Sequence, residues 1–211
     1  MIQRLVNLMK LPLSRQLQYV EFVRARLVMV LLQRWRLRHC GRGSVVLKPL
    51  FWMPERVSIG DNVIIWPGCR IEGLENEWHV PAIEFGDGVS VQQNCHITAA
   101  STLSIGAGTT ILAGVVITDI DHRYDAFGVN VSLQPITVAR TEIGPNCFIG
   151  AGARILAGTR LGEHCVVGTN AVVRGTYPAG SVLAGIPARV VKRYDAGTKQ
   201  WVSQPDGGPN R

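Results

Sequence analysis

A period of six residues runs through most of this 211-residue chain and restricts its fold more than any other feature. The clearest stretch, residues 143–178, reads IGPNCF IGAGAR ILAGTR LGEHCV VGTNAV VRGTYP. Each hexad begins with an aliphatic residue, and the first five carry a small residue at their fifth position. One hexad makes a short strand and a turn, which cannot bury its aliphatic side chain alone, whereas stacked coils can. The period therefore predicts a mainly β structure, a solenoid with the aliphatic side chains inside.

The same period continues towards the N-terminus with two interruptions. Apolar residues recur six positions apart in three successive series: Leu47, Met53, Ile59, Ile65 and Ile71; Phe85, Val91, Ile97 and Leu103; Ile105, Ile111 and Ile117. The repeat stops at residues 72–82 and 118–142, which we expect to be loop insertions. Four of the five cysteines occupy fifth positions of their hexads, where we expect small buried residues: Cys69, Cys95, Cys147 and Cys165.

The first 43 residues show a different pattern. Leu, Val and Met recur among Arg and Gln, which predicts helix over residues 1–40 with a break at Pro12. Residues 1–43 contain nine Lys or Arg and one Glu, so the net charge of +7 belongs to this segment and the remainder is nearly neutral. A neutral main domain gives no support for binding nucleic acid. The apolar run LVMVLL at 27–32 is too short to span a bilayer.

Three roles for residues 1–43 are compatible with the sequence: capping the open end of the solenoid, docking between subunits, or lying on an anionic membrane surface. We favour the membrane surface, because it suits a basic and apolar segment on a neutral body. No cleavable signal sequence is evident and the cysteines form no disulfide or zinc pattern. We therefore expect a cytoplasmic location, with peripheral contact at the inner membrane. Residues 194–211 are expected to form a polar, flexible tail.

The hexads and the motif AGIPARVVK at 184–192 together carry a family resemblance. Residues 44–193, and most specifically 135–193, resemble the hexapeptide-repeat acyltransferases, in the branch that O-acetylates sugars and polysaccharides. The resemblance implies a left-handed parallel β-helix with three hexads per coil, and a homotrimer with an active site between each pair of subunits. It also implies that acetyl-CoA donates an acetyl group to a hydroxyl of a glycan or sugar acceptor, in surface polysaccharide or lipopolysaccharide synthesis.

The resemblance further implies the residues of an active site. His122, in the loop that leaves the repeat after Ile117, matches the family's general base, and Asn94 matches an asparagine that positions the acceptor. The candidate contacts for acetyl-CoA lie along the last coils: Gly150, Ala151, Gly168, Thr169, Arg174, Arg189 and Lys192. Candidate contacts for the sugar lie around His122, although we expect at least two of the three acids to be solvated loop residues: Asp119, Asp121, Tyr124 and Asp125.

The sequence leaves some other chemistries open and disfavours others. N-acetylation of an aminosugar nucleotide and O-acetylation of serine differ only in acceptor-side loops, so the sequence leaves them open. A solenoid scaffold without chemistry is disfavoured by His122 and the GIPARVVK ending. A hexapeptide-repeat carbonic anhydrase needs three histidines on zinc, two of them five residues apart. Ile117 and Phe127 occupy the positions five residues either side of His122, so no metal is expected.

Overall fold

The computed structural model describes residues 11–74 and 82–204. The mainly β fold with an N-terminal helix is confirmed. Short parallel strands form three sheets, here called faces A, B and C, and the chain visits the three faces in turn. Neighbouring strands of a face therefore come from successive coils, as in a three-sided parallel β-helix.

The strands are numbered along the chain. Face A contains β1 (His39–Cys40), β4 (Val57–Ile59), β7 (Ala82–Phe85), β10 (Thr102–Ile105), β15 (Glu142–Ile143), β18 (Arg160–Leu161) and β21 (Thr176–Tyr177). Face B contains β2 (Val45–Val46), β5 (Ile64–Ile65), β8 (Ser90–Val91), β11 (Thr110–Ile111), β16 (Phe148–Ile149), β19 (Val166–Val167) and β22 (Ser181–Gly185). Face C contains β3 (Phe51–Trp52), β6 (Arg70–Gly73), β9 (His96–Ala99), β12 (Val116–Thr118), β17 (Arg154–Ile155) and β20 (Val172–Val173).

The core of the coil consists of the residues that start the hexads. From Ile143 to Val173 all six are buried, and the earlier series are buried as predicted except for Met53. Met53 is half-buried because it precedes a 3-10 turn, Pro54–Arg56, that carries the chain away from the regular path. The four hexad cysteines are buried as expected.

Two of the three corners repeat the same turn through most coils, and we call A–B and B–C the regular corners. At the B–C corner the first coil has Lys48 with φ of 37°, and each later turn has one residue in the left-handed region, at Gly68, Asn94, Gly114, Gly152 and Asn170. The amide of that residue donates to the turn of the preceding coil, as from Gly114 to the Gln93 oxygen (3.0 Å). Only Gly and Asn adopt this conformation readily, which explains why they recur there.

The third corner, C–A, differs from coil to coil. Both predicted insertions leave the coil there, because 72–82 connects β6 to β7 and 118–142 connects β12 to β15. Residues 75–81 of the first insertion lie outside the described residues. The second insertion contains an antiparallel hairpin, β13 (Ile120–His122) with β14 (Ile136–Val138), and a 3-10 turn, Val131–Leu133.

The N-terminal helical segment ends earlier than the sequence predicts, and the first ten residues of the predicted range lie outside the described part of the chain. Helix α1 spans Leu13–Val28, directly after Pro12, and is followed by a π-helical turn, Met29–Gln33, and a 3-10 turn, Arg34–Arg36. The prediction of helix to residue 40 is wrong, because β1 already pairs with β4 and begins the coil at His39. None of the described helices has the length and apolar character needed to cross a membrane.

The C-terminal segment is ordered further than expected. β23 (Ala188–Asp195) pairs antiparallel with β22, and β24 (Gln200–Ser203) pairs with β23. The rings of Tyr194 and Trp201 meet edge to face with centroids 5.4 Å apart, which stabilises this hairpin. The expected flexible tail from residue 194 is therefore wrong as far as residue 204, and residues 205–211 lie outside the described part of the chain.

Candidate active site

The hairpin at the C–A corner presents His122. The residue ends β13, pairs with Ile136 of β14 and is exposed. Its ring forms no hydrogen bond with any residue that the structure describes, so both ring nitrogens face the surroundings. An exposed imidazole on a paired strand is available to a substrate and is held by backbone bonds on one side.

Asp119 anchors the start of this hairpin from inside the protein. Its carboxylate is fully buried and accepts hydrogen bonds from the Ala100 amide (2.8 Å), the Ser101 amide (2.8 Å) and the Ser101 hydroxyl (2.7 Å). The expectation that Asp119 contacts a sugar is therefore wrong, because three donors of the preceding coil occupy its oxygens. It joins the hairpin to the C–A turn of that coil.

Asp121 and Arg174 form a second anchor. They make a bidentate ion pair, with Nη1 2.7 Å from Oδ2 and Nη2 3.0 Å from Oδ1, and the hydrogen bond from Arg174 to Asp121 raises the pKa of Arg174. Arg174 was expected to meet a CoA phosphate and Asp121 a sugar, but the structure pairs them with each other. Successive side chains of a strand point to opposite sides, so Asp121 faces Arg174 while His122 faces away.

Two further residues shape the insertion and were not singled out in the sequence. The Thr141 hydroxyl donates to the Thr118 carbonyl (2.9 Å) and closes the base of the hairpin. The buried Gln134 amide accepts from the Ala126 amide (3.1 Å) and donates to the carbonyls of Ala126 (3.2 Å) and Val129 (3.0 Å). Their only sequence signal is a hydroxyl or amide side chain within a loop, which is too common to be diagnostic.

The remaining candidates near His122 lie on the surface. Tyr124 and Phe127 are exposed. Asp125 is exposed as well, and the Arg123 guanidinium that donates to its carboxylate (3.0 Å) lowers the pKa of Asp125. The side chains of Tyr124 and Phe127 are accessible to a partner molecule. Asp125, paired with Arg123 on the surface, fits the expectation of a solvated loop acid.

The predicted acetyl-CoA residues gather mainly at the B–C corner. Gly150 and Ala151 form the turn after β16, and Gly168 and Thr169 form the turn of the next coil. A Cβ at Gly150 would lie 2.6 Å from the Thr169 amide nitrogen, so glycine is required where the two turns stack. Arg189 pairs with Ala184 across strands β22 and β23. Ala184 lies beside this corner, since a Cβ added at Gly168 would be 3.4 Å from the Ala184 Cβ.

Lys192 and Asn94 lie on the same side of the coil. Lys192 pairs with Val182 on the outer strands of face B and is exposed. Asn94 is exposed and occupies the left-handed position of the B–C turn, with φ of 58°. Neighbouring coils have Gly68 and Gly114 at that position, so the turn alone accounts for the backbone of Asn94. The Asn94 side chain packs over Gly68 of the preceding coil, where a Cβ would lie 2.1 Å from Asn94 Oδ1.

Face C separates the two corners and carries a polar group of its own. His96 Nε2 lies 2.7 Å from the Thr98 hydroxyl, and Arg70 donates to Glu72 (2.7 Å) while its Cζ lies 5.2 Å from the Phe51 ring centroid. Burial lowers the pKa of His96, and the positive charge of Arg70 lowers it further. Among the described residues no three His, Cys, Asp or Glu side chains converge as metal ligands.

Comparison with known proteins places this geometry in a family. Residues 140–175 match the family model described as bacterial transferase hexapeptide (six repeats). The putative lipopolysaccharide biosynthesis O-acetyl transferase WbbJ of Escherichia coli K12 is 30% identical over 182 residues, which cover 82% of this chain and 88% of that protein. The chain therefore belongs to the hexapeptide-repeat acyltransferase family, as its motifs indicated.

Solved structures show the same fold. AntD, an N-acyltransferase from Bacillus cereus in complex with dTDP and 3-hydroxybutyryl-CoA, aligns with a TM-score of 0.67 at 15% identity, covering 79% of this chain and 88% of that one. A hexapeptide-repeat acetyltransferase from Vibrio cholerae, complexed with acetyl-CoA, aligns with a TM-score of 0.55 at 18% identity, covering 87% and 90%. At these identities the likeness concerns the fold.

Proposed function

We propose that this acyltransferase moves an acetyl group from acetyl-CoA to a sugar hydroxyl in the synthesis of a surface polysaccharide or lipopolysaccharide. The similarity to WbbJ over most of both chains carries the proposal. The AGIPARVVK ending and an exposed histidine on a braced hairpin support it. The supply of acetyl-CoA and of activated sugars favours a cytoplasmic location.

His122 is the proposed general base. The imidazole takes the proton of the acceptor hydroxyl as its oxygen attacks the thioester carbonyl carbon. The tetrahedral intermediate collapses, the C–S bond breaks, and the imidazolium returns the proton to the departing CoA thiolate. The products are an acetate ester and free CoA. The hexad cysteines are buried, which favours direct attack over an acyl-enzyme.

Asp121 and Arg174 are the proposed positioning residues. Their bidentate pair holds β13 against the last coil of face C, directly beside the base. The base must lie within hydrogen-bond distance of the acceptor hydroxyl. A shift of the hairpin by about 1 Å would therefore greatly lower the rate of acetyl transfer. Gly150, Ala151, Gly168, Thr169, Arg189 and Lys192 are the proposed acetyl-CoA contacts, and Asn94, Tyr124 and Asp125 the acceptor contacts.

The placement of these groups on two corners supports a homotrimer. Within one chain His122 stands at the C–A corner and Arg189 beside the B–C corner, with face C between them. A neighbouring copy of a left-handed coil would bring its B–C corner against the hairpin of the first. Cyclic symmetry would then produce one site at each interface.

N-acylation of an aminosugar nucleotide is the second candidate. The fold likeness to AntD favours it over serine O-acetylation, because AntD is an N-acyltransferase bound to dTDP. The two candidates differ in the acceptor atom. A protonated amine must lose a proton before its nitrogen can attack, whereas a hydroxyl needs a base that takes its proton in the transition state. An acceptor panel therefore separates them.

Release of CoA thiol should be measured against glycans with free hydroxyls and against aminosugar nucleotides. We expect turnover with a glycan, and a fall in kcat of about 10²–10⁴-fold in His122→Ala with little change in the KM for acetyl-CoA. His164→Asn is the matched control, because His164 occupies a left-handed turn position that asparagine tolerates. Undiminished turnover in His122→Ala would rule out His122 as the general base. Turnover with amines alone would favour N-acylation of an aminosugar nucleotide.

A further inference from the structure

One side of helix α1 binds the solenoid. The Phe22 ring meets the Trp66 ring edge to face at 5.9 Å, Glu21 pairs with Lys48, and Met29 in the following turn is buried in the core of the first coils. This face caps the N-terminal end of the coil. It fixes the orientation of the helix, and therefore the direction of the opposite face.

The opposite side of the helix is mainly apolar and uncovered. Leu13, Leu17, Val20 and Leu27 follow the three- and four-residue spacing of one helix face, and each is more than half exposed. Arg24 lies on the same face between Val20 and Leu27. At 100° per residue this stripe lies roughly 180° from Phe22 and Met29. The following turns extend it with further exposed side chains: Leu31, Leu32 and Trp35. A surface helix normally buries its apolar face, so this helix presents its apolar stripe for a second partner.

The charges on the helix and on the turns that follow it are positive. The described part of residues 1–43 carries seven arginines, of which Arg36 lies 3.9 Å from Glu55: Arg15, Arg24, Arg26, Arg34, Arg36, Arg38 and Arg42. Its one acid, Glu21, is already paired with Lys48. Arg34 also lies 5.9 Å from the centroid of the exposed Trp35 ring, a combination suited to the boundary between headgroups and acyl chains.

These observations select among the possible partners. Two copies of the chain meeting stripe to stripe would bring their arginines together, whereas an anionic bilayer offers phosphates to the arginines and acyl chains to the stripe. We propose that helix α1 docks flat on an anionic phospholipid surface through Leu13, Leu17, Val20 and Leu27. The enzyme would then hold its active site close to a membrane, whichever acceptor it acetylates.

The test is flotation of the full-length protein with vesicles of phosphatidylglycerol and phosphatidylcholine, compared with vesicles of phosphatidylcholine alone. Wild type should float with the anionic vesicles and less at high salt. Leu17→Gln/Leu27→Gln should lower the vesicle partition coefficient by about tenfold or more. The matched control, Leu133→Gln/Val202→Gln, replaces two exposed apolar residues far from the helix and should float as wild type does.

Circular dichroism on the same samples checks that the variants fold, which we expect because the replaced side chains are exposed. Light scattering reports the oligomeric state of each variant. Equal flotation of wild type and the stripe variant would overturn the proposal, as would absence of wild-type flotation. A smaller oligomer in the stripe variant without loss of flotation would also overturn it, since the stripe would then bind a second copy. Acetylation of a soluble acceptor, measured in parallel, reports on the proposed function separately.

Discussion

The regular corners and the C–A corner of the same coil are built in opposite ways. At the regular corners one turn repeats through most coils, with Gly or Asn in the left-handed position except at Lys48 and His164, and the amide of that residue bonded to the turn of the coil before it. At the C–A corner the successive connections include a 3-10 turn, a two-residue link at Ala100–Ser101 and a hairpin of some twenty residues. A corner that does not have to match its neighbours in shape can hold an inserted hairpin, and the proposed base, His122, is found there.

The largest expected effect is a loss of stability at a regular corner, where each turn packs closely on the turn of the next coil. Gly106 belongs to the A–B corner, and a Cβ there would lie 2.4 Å from the Pro145 backbone nitrogen of the next coil. Gly106→Ala should lower the free energy of unfolding by about 3 kcal/mol or more, measured by urea denaturation. Gly128→Ala in the C–A insertion is the control, because its Cβ would meet open space and only its φ of 83° opposes alanine, at about 1 kcal/mol. Equal losses would remove the distinction between the corners.

The next largest effect is a fall in kcat when the Asp121–Arg174 ion pair at the C–A corner is broken. Arg174→Gln should lower kcat by about tenfold with the KM for acetyl-CoA unchanged, because it frees the hairpin that carries the base. The charge exchange Asp121→Arg/Arg174→Asp should recover part of the loss. Arg160→Gln, at an exposed arginine of face A, serves as control. A KM that rises for acetyl-CoA but not for acetyl-3′-dephospho-CoA in Arg174→Gln would instead mean that Arg174 binds the phosphate.

A smaller effect is expected at Asn94, where a regular corner is proposed to touch the acceptor. Asn94→Gly keeps the left-handed turn that Gly68 and Gly114 already use, so stability should change by only a few tenths of a kcal/mol. The KM for the acceptor should rise about tenfold if the amide holds a sugar hydroxyl. Asn170→Gly makes the same exchange in the last coil and should leave that KM unaltered. Matching kinetics in both variants would reduce Asn94 to a turn residue.

The repeating part of the coil is also where the sequence is most informative. The hexad start positions such as Ile149 and Ile155 were predicted to be buried and are, because every coil repeats the same environment. The period and the core are thus readable from one chain. The exit of the chain after Ile117 was visible for the same reason, as the point where the period stops.

The contacts of the C–A corner were not readable. Asp119 was expected to contact a sugar or to be a solvated loop acid, but it is buried and its donors come from Ala100 and Ser101 of the preceding coil. Arg174 and Asp121 are 53 residues apart, and no local pattern links them. Each depends on which coil a side chain reaches, which a periodic sequence leaves undetermined. The C-terminal hairpin was missed similarly, since its polar strands are stabilised by Tyr194 and Trp201 across the turn.

The central claim, that one active site joins the C–A corner of one subunit to the B–C corner of another, is tested most directly by mixing two weakened variants. His122→Ala removes the base, and Arg189→Glu repels the CoA phosphate, so each alone should show little activity at low acetyl-CoA. Random mixed trimers should recover about a quarter of the wild-type rate, because that share of interfaces combines the intact corner of each variant. A mixture no more active than the average of its two components would mean that the active site is not shared between two subunits.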